Sequence, residues 1–397
     1  MESIRDKVAI VGMGCTKFGE RWDMGVGDLL VEAAYEAFKD AGIEPKDVQA
    51  AWLGTVFSGI SGITLAPLGL QYIPITRVEN MCATGSEALR AASYAVAAGV
   101  VDVALAIGVE KLKDTGVTGV KGPGLVGDNP DGTAGIAPGY SAPASFAYLA
   151  SRYFSEYKMK PEDGRKLLAE IAVKNHYNGS LNPKAHFSNL ITVEQAMKAP
   201  IVAYPLALFD CCGVSDGAAA AIVTRADMAK SFRPDPIYIK ALSLAVGARQ
   251  GAMVQDYDFV HLEENVRASR NAYADAGIKD PRKEISMAEV HDCFTVHEMI
   301  VYEDLGFAKR GRAKEDIEAG TFTLKGDLPV NTDGGLKCFG HPLGASGLRM
   351  MYEVYHQLRG KAGPRQVKNP RLGLTHNLGG NAGTGISTVF IVGNEKS

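Results

Sequence analysis

Apolar residues along this chain follow two rhythms. Short runs, alternating or continuously apolar and bounded by Gly, Pro or Asp, fall at residues 8–13, 50–57, 73–79 and 101–109. They recur at 236–247, 287–293, 328–331, 371–376 and 385–393, and runs of this length predict strands. Between them, apolar residues three and four apart at 26–41, 83–98, 262–276, 296–305 and 345–358 predict amphipathic helices. Regular exchange of the two rhythms predicts layered α/β structure. Residues 91–109 are largely apolar, but Asp102 and the turn Ala97-Ala98-Gly99-Val100 divide them into a helix and a buried strand, so no membrane span is expected.

The alternation fails between residues 110 and 215. Residues 115–142 hold eight glycines among Pro, Thr and Ser, too long a connection to be merely a connection. Helices resume at 143–157 and 161–179, and a strand at 218–224 returns to the first sheet. On either side, the text repeats. Ala34-Tyr-Glu-Ala-Phe-Lys-Asp-Ala-Gly-Ile is echoed by Ala272-Tyr-Ala-Asp-Ala-Gly-Ile, each a helix closing on glycine before a polar link and a strand. This organisation predicts a first half over residues 1–111 and 209–232, an insertion over 112–208, and a second half over 233–397.

With 46% hydrophobic and 22% charged residues, a 397-residue chain can fill more than one core. Its 42 basic and 45 acidic side chains leave a net charge of −3 with no basic block, which argues against nucleic acid as a partner. A polyanionic small ligand would need local positive potential instead. The six cysteines (15, 82, 211, 212, 293, 338) include no Cys-x-x-Cys pair, and no secretory leader is apparent. Neither a zinc site nor a disulfide framework is expected, and a reducing cytoplasm fits.

Four segments carry candidate chemistry. Phe339-Gly-His-Pro-Leu-Gly-Ala-Ser-Gly347 sets His341 on a glycine-walled turn before a helix, a geometry that admits a ligand close to the backbone. Glu79-Asn-Met-Cys-Ala-Thr-Gly-Ser86 sets Cys82 at a strand-to-helix junction, where the helix N-terminus favours thiolate; the plain alternative is a packed cysteine. Val290-His-Asp-Cys-Phe294 ends an apolar run, and a period of two sends His291 and Cys293 to one face. Leu374-Thr-His-Asn-Leu-Gly-Gly-Asn-Ala-Gly383 is a glycine turn whose amides could donate to an oxyanion. A nucleophile, bases, a second thiol and backbone donors together suit acyl transfer through a thioester. The remaining cysteines read as packing or turn residues, although Cys338 lies close to His341. His186, His261 and His356 read as solvated, and His297 as a supporting residue behind the site.

In this order the four segments resemble thiolases, and among them the sterol-carrier-protein-2 type and archaeal acetoacetyl-CoA thiolases. The similarity runs from Val8-Ala-Ile-Val-Gly-Met-Gly14 to the last strand and includes Phe209-Asp-Cys-Cys-Gly-Val-Ser-Asp-Gly-Ala-Ala-Ala220 and Asn331-Thr-Asp-Gly-Gly335. It implies a duplicated five-layer αβαβα fold with an inserted loop domain, for whose pocket Tyr140, Phe146, Tyr148, His176, Phe187 and Met197 are candidates. It implies coenzyme A as substrate without a metal. Cys82 would be the nucleophile, His341 its base, and His291 with His341 one oxyanion hole; the amides of Cys82 and Gly379 would form the other. Many thiolases carry a second cysteine where this chain has Asn377, and Cys293 becomes the replacement acid/base. The resemblance further implies a homodimer or dimer of dimers and, for some members, a small zinc-ribbon/OB-fold partner subunit. The competing readings are a decarboxylating ketoacyl synthase, against which Cys293 argues, and a catalytically silent binding subunit, against which the intact Cys82, His291 and His341 argue.

Overall fold

A computed structural model describes residues 3–59, 61–115, 141–248, 257–381 and 383–396. Most of the glycine-rich stretch and Tyr140, expected to cover the site, lie outside these residues. In the first half, β1 (Val8–Cys15), α1 (Val26–Ala41), β2 (Ala50–Gly54), β3 (Ile75–Val78), α2 (Thr84–Ala97) and β4 (Val103–Glu110) follow in order. The helices α3 (Ala142–Glu156) and α4 (Pro161–Ser180) and the small hairpin β5 (Ile201–Ala203) and β6 (Leu206–Ala207) come next, and β7 (Gly217–Arg225) completes the half. The second half contains β8 (Ile237–Val246), α5 (Glu263–Ala276), β9 (Met287–Val290), α6 (Thr295–Asp304), α7 (Gly335–Phe339), α8 (Leu343–Leu358), β10 (Leu372–Gly379) and β11 (Ile386–Gly393).

Nine strands form one sheet in the order β3-β2-β4-β7-β1-β8-β11-β10-β9, joined at its middle by β1 and β8. The order is mirrored about that join. In the first half β4 is parallel to β2 and antiparallel to β7; in the second, β10 is parallel to β9 and antiparallel to β11. The predicted strand at 328–331 reduces to a single parallel bridge between Ala288 and Val330, in the place β3 holds beside β2.

Alternation along each strand divides the core into layers. Ala9, Val11, Leu105 and Ile107 pack under α1, whereas Val8, Ile10, Ala104 and Ala106 face the layer of α2 and α8. In the second half Leu374, Val389 and Ile391 pack toward α5 and α6, and Phe390 and Val392 toward the central helices. Helix, first half of the sheet, helix pair, second half of the sheet, helix: this is the expected five-layer α/β fold.

The central pair packs through glycine. A Cβ on Gly344 would lie 2.5 Å from the Gly54 carbonyl oxygen and 2.6 Å from that of Val109, and one on Gly347 would lie 2.5 Å from the Ser86 amide. The glycines after His341 therefore serve contact between α8 and the first half, not the approach of a ligand. Gly340 is different: its φ of 76° lies in the left-handed region and fixes the turn that presents His341.

Candidate functional site

The mirror arrangement brings the start of α2 next to the start of α8, which unites residues far apart in sequence. Cys82 Sγ and one ring nitrogen each of His291 and His341 all lie within 4.8 Å of one another. The two imidazoles meet edge to face at 5.0 Å between centroids. Cys82 is half-buried and follows Met81, whose φ of 52° is a strained value for a side chain of that size. Met81 carbonyl accepts from Thr84 Oγ1 at 2.6 Å, and Thr84 Oγ1 accepts from the Asn80 amide at 2.9 Å, so the turn is held from both sides.

Hydrogen bonds fix what each ring can do. Ser346 Oγ donates to the Pro342 carbonyl at 3.0 Å, so its other contact, 2.8 Å to His341 Nδ1, must receive the Nδ1 proton. Nε2 of His341 is left with its lone pair, buried and unpartnered. That nitrogen is free to accept a proton. His291 is the opposite case: Asn377 Nδ2 donates to its Nδ1 at 2.9 Å, which leaves the proton on Nε2. One ring accepts and the other donates, beside one sulfur.

Burial sets the resting charges. The His341 ring is pushed down to about 3 by burial and by the Arg349 guanidinium, and His291 is held well below its usual range by burial and the neighbouring imidazoles. The Cys82 thiol is pushed up to about 12 by burial, against hydrogen bonds from the amides of Gly380 and of Cys82 itself. Burial thus works against the thiolate expected at the helix start. The amide at the sulfur is that of Gly380, one residue beyond Gly379. Gly379 closes β10 opposite Ile386, and a Cβ there would lie 2.3 Å from the Asn80 carbonyl oxygen.

β9 ends at Val290, so His291, Asp292 and Cys293 lie in a turn rather than on the strand as expected. Asp292 holds that turn: its carboxylate accepts from the amides of Leu336 (2.6 Å) and Lys337 (3.1 Å) and from Asn175 Nδ2 (2.9 Å). The buried Cys293 belongs to a second trio, with ligating atoms of His291, Cys293 and His297 within 4.8 Å of one another. His291 joins the two trios. Cys212, expected only to pack, donates its amide to the Cys293 carbonyl at 2.9 Å, and Cys212 and Cys82 both add to the upward push that burial exerts on the Cys293 thiol. Cys338 turns away, its thiol 3.3 Å from the Asn175 carbonyl oxygen.

Residues 8–227 match the model of the thiolase N-terminal domain, and residues 245–392 match that of the thiolase C-terminal domain-like family. The chain belongs to the thiolase family. The acetyl-CoA acetyltransferase of Methanothermobacter thermautotrophicus is 40% identical over 390 residues, covering 96% of this chain and 99% of that enzyme. Sterol carrier protein 2 of Gallus gallus is 33% identical over 98% of this chain and 72% of its own length. Among solved structures, a chain of the Ltp2-ChsH2(DUF35) aldolase superposes with a TM-score of 0.85 at 26% identity, each covering 99% of the other. The branch expected from the sequence is the branch found, and this thiolase is an acyltransferase.

Among the described insertion residues expected to line a pocket, Phe146 alone is seen against the site, stacked on Phe294 at 4.7 Å and edge-on to His297 at 5.4 Å. Tyr148 is exposed, Phe187 stacks on His186, His176 Nδ1 donates to the Asn189 carbonyl, and the Met197 carbonyl accepts from Arg165. His186 and His356 are not solvated as expected: His186 bonds Ser215 at 2.7 Å, and His356 packs edge-on to Tyr352. Sequence reasoning named Asn377 only as standing where other thiolases carry a second cysteine and gave no role to Ser346 or Gly380; these residues set the tautomers and the amide at the sulfur.

Proposed function

We propose that this thiolase transfers an acetyl group between Cys82 and coenzyme A, cleaving acetoacetyl-CoA or forming it from two acetyl-CoA molecules. The observation that carries this reading is the trio of Cys82, His341 with a bare Nε2, and His291 with a protonated Nε2. The choice of acetyl rests on the 40% identical acetyl-CoA acetyltransferase.

In the cleavage direction, the Cys82 proton passes to His341 Nε2 as sulfur bonds the keto carbon. The carbon–carbon bond breaks, its electron pair remains on the departing acetyl-CoA carbanion, and Cys293 supplies the proton that this carbon takes. His291 Nε2–H and the His341 imidazolium donate to the enolate oxygen, while the amides of Cys82 and Gly380 receive the oxygen of the acyl-Cys82 adduct. Coenzyme A then gives its thiol proton to the Cys293 thiolate and takes the acyl group, and His341 returns its proton to Cys82. A ketoacyl synthase would need no acid/base thiol, and a silent subunit would need no aligned tautomers.

We further infer a homodimer formed along β3, the outermost strand of the sheet, with Tyr72 fully exposed and Ile63 75% exposed nearby. A small partner subunit is proposed on the likeness to the Ltp2-ChsH2(DUF35) assembly, and a cytoplasmic location on the six free cysteines.

The test is thiolysis of acetoacetyl-CoA, followed by loss of substrate absorbance, beside acylation of the enzyme by acetyl-CoA. Cys82→Ala removes both. Cys293→Ala lowers thiolysis by about 10² to 10⁴ and leaves acylation, which needs no carbanion, in place. Near-normal thiolysis by Cys293→Ala would contradict the role given to that thiol.

A further inference from the structure

The Cys293 side of the site contains one more group whose chemistry is unused. His297 lies in the first turn of α6 and is completely buried. Its Nδ1 sits 2.6 Å from the His291 carbonyl oxygen, an acceptor only, so Nδ1 carries the ring proton. Nε2 therefore presents a lone pair, and it is buried without a partner. Leaving a buried acceptor unmet costs free energy, so its retention calls for an explanation. A ring nitrogen of His297 lies within 4.8 Å of both Cys293 Sγ and a nitrogen of His291. The titratable side chains packed around the ring are His291, Cys293 and His376, the imidazoles at 5.5 and 5.7 Å between centroids.

His376 faces elsewhere. Its Nε2 meets Asn265 Oδ1 at 2.9 Å and its Nδ1 meets the His291 amide at 3.5 Å. Both its nitrogens are taken. Phe146 closes another side of the His297 ring with an aromatic edge. The Cys293 thiol is thus the group in this pocket with a proton to give and no imidazole assigned to receive it.

A thiol in such surroundings is a poor base, because burial disfavours the thiolate. The condensing direction nevertheless requires a proton to leave the α-carbon of acetyl-CoA. We propose that His297 is the proton acceptor behind Cys293: as the sulfur takes the α-proton, the thiol's own proton moves to His297 Nε2. One S–H and one N–H bond form while one C–H and one S–H bond break, and the C–H electron pair passes to the enolate. The products are a neutral thiol and an imidazolium opposite the enolate, so no bare thiolate accumulates. His297 acts through Cys293 and is a positioning and relay residue, and the proposal rests on the role given to Cys293 above.

The readout is exchange of the methyl protons of acetyl-CoA in D2O, followed by mass spectrometry, with acylation of Cys82 measured on the same samples. His297→Asn keeps an N–H donor near the His291 carbonyl and removes the base. It is expected to lower exchange by about 10²-fold while Cys82 still acylates, and to abolish the acidic limb of the exchange profile that protonation of His297 produces. Normal exchange in His297→Asn, together with lost exchange in Cys293→Ala, overturns the relay and leaves the Cys293 role standing. Normal exchange in Cys293→Ala overturns the Cys293 role itself. Should His297→Asn lose acylation as well, the wild-type protein decides: nitrogen NMR of labelled histidines must find His297 Nε2 unprotonated, and a protonated Nε2 overturns the proposal.

Discussion

Asn377 does not titrate at neutral pH, yet its amide determines what His291 can offer. By donating to Nδ1 it leaves the proton on Nε2, where an enolate oxygen can use it. Asn377→Asp replaces that donor with an acceptor, moves the ring proton to Nδ1 and sets a negative charge behind the oxyanion site. Turnover should fall by about 10²-fold or more, measured as kcat for thiolysis; an unchanged kcat would remove His291 from the oxyanion site. Ser346 fixes His341 in the opposite sense, and burial with Arg349 pushes that ring down to about 3. Because the folded-state value is lowered, His341 stays neutral well below the ordinary imidazole value of 6.5. Acylation of Cys82 by acetyl-CoA should therefore show no inflection near pH 6.5 between pH 5.5 and 8. An inflection there, traced to His341 by substitution, would contradict the assignment. These tautomer-setting contacts were not legible in the sequence, since Asn377 reaches His291 only through the pairing of β10 with β9.

Cys82 and His341 meet because two helices touch through glycine. Gly344 and Gly347 let α8 press against β2, β4 and the start of α2, which sets the distance between His341 and Cys82. Gly344→Ala would drive a methyl group onto two backbone oxygens at 2.5 and 2.6 Å, neither able to swing aside. A loss of about 1–3 kcal/mol is expected, read as an earlier denaturant midpoint, together with slower Cys82 acylation as the helices separate. A variant as stable and as fast as the parent would show that the contact is slack. The strands and helices themselves were largely legible, because apolar periodicity follows directly from burial on one face or two. The exceptions have local causes. The run at 287–293 outlasts its strand because Asp292 is drawn to the amides at the start of α7, and the run at 328–331 makes one bridge in place of a strand. The glycines of the His341 segment were seen correctly but given the wrong neighbour, a ligand instead of a helix.

At the scale of the molecule, duplication is what makes the site. Each half places a helix start at the centre, one bearing Cys82 and the other led by His341, and the second half adds the turn of His291 and Cys293. Neither half contains Cys82 and His341 together. The echo between residues 34–43 and 272–278 made this pairing legible, while the place of Cys212 beside Cys293 depended on a return of the chain that no local pattern marks. The exposed edge at β3 carries the dimer proposal to the same scale: light scattering should return twice the chain mass of 42.2 kDa, and a monomer at working concentration would contradict it. The central claim is that acyl groups pass through Cys82. Intact mass and peptide mapping after brief exposure to acetyl-CoA test it most directly. One acetyl group per chain on the peptide containing Cys82, discharged by added coenzyme A and missing from Cys82→Ala, is the predicted result; no adduct, or an adduct on Cys212, Cys293 or another side chain that survives Cys82→Ala, would contradict it.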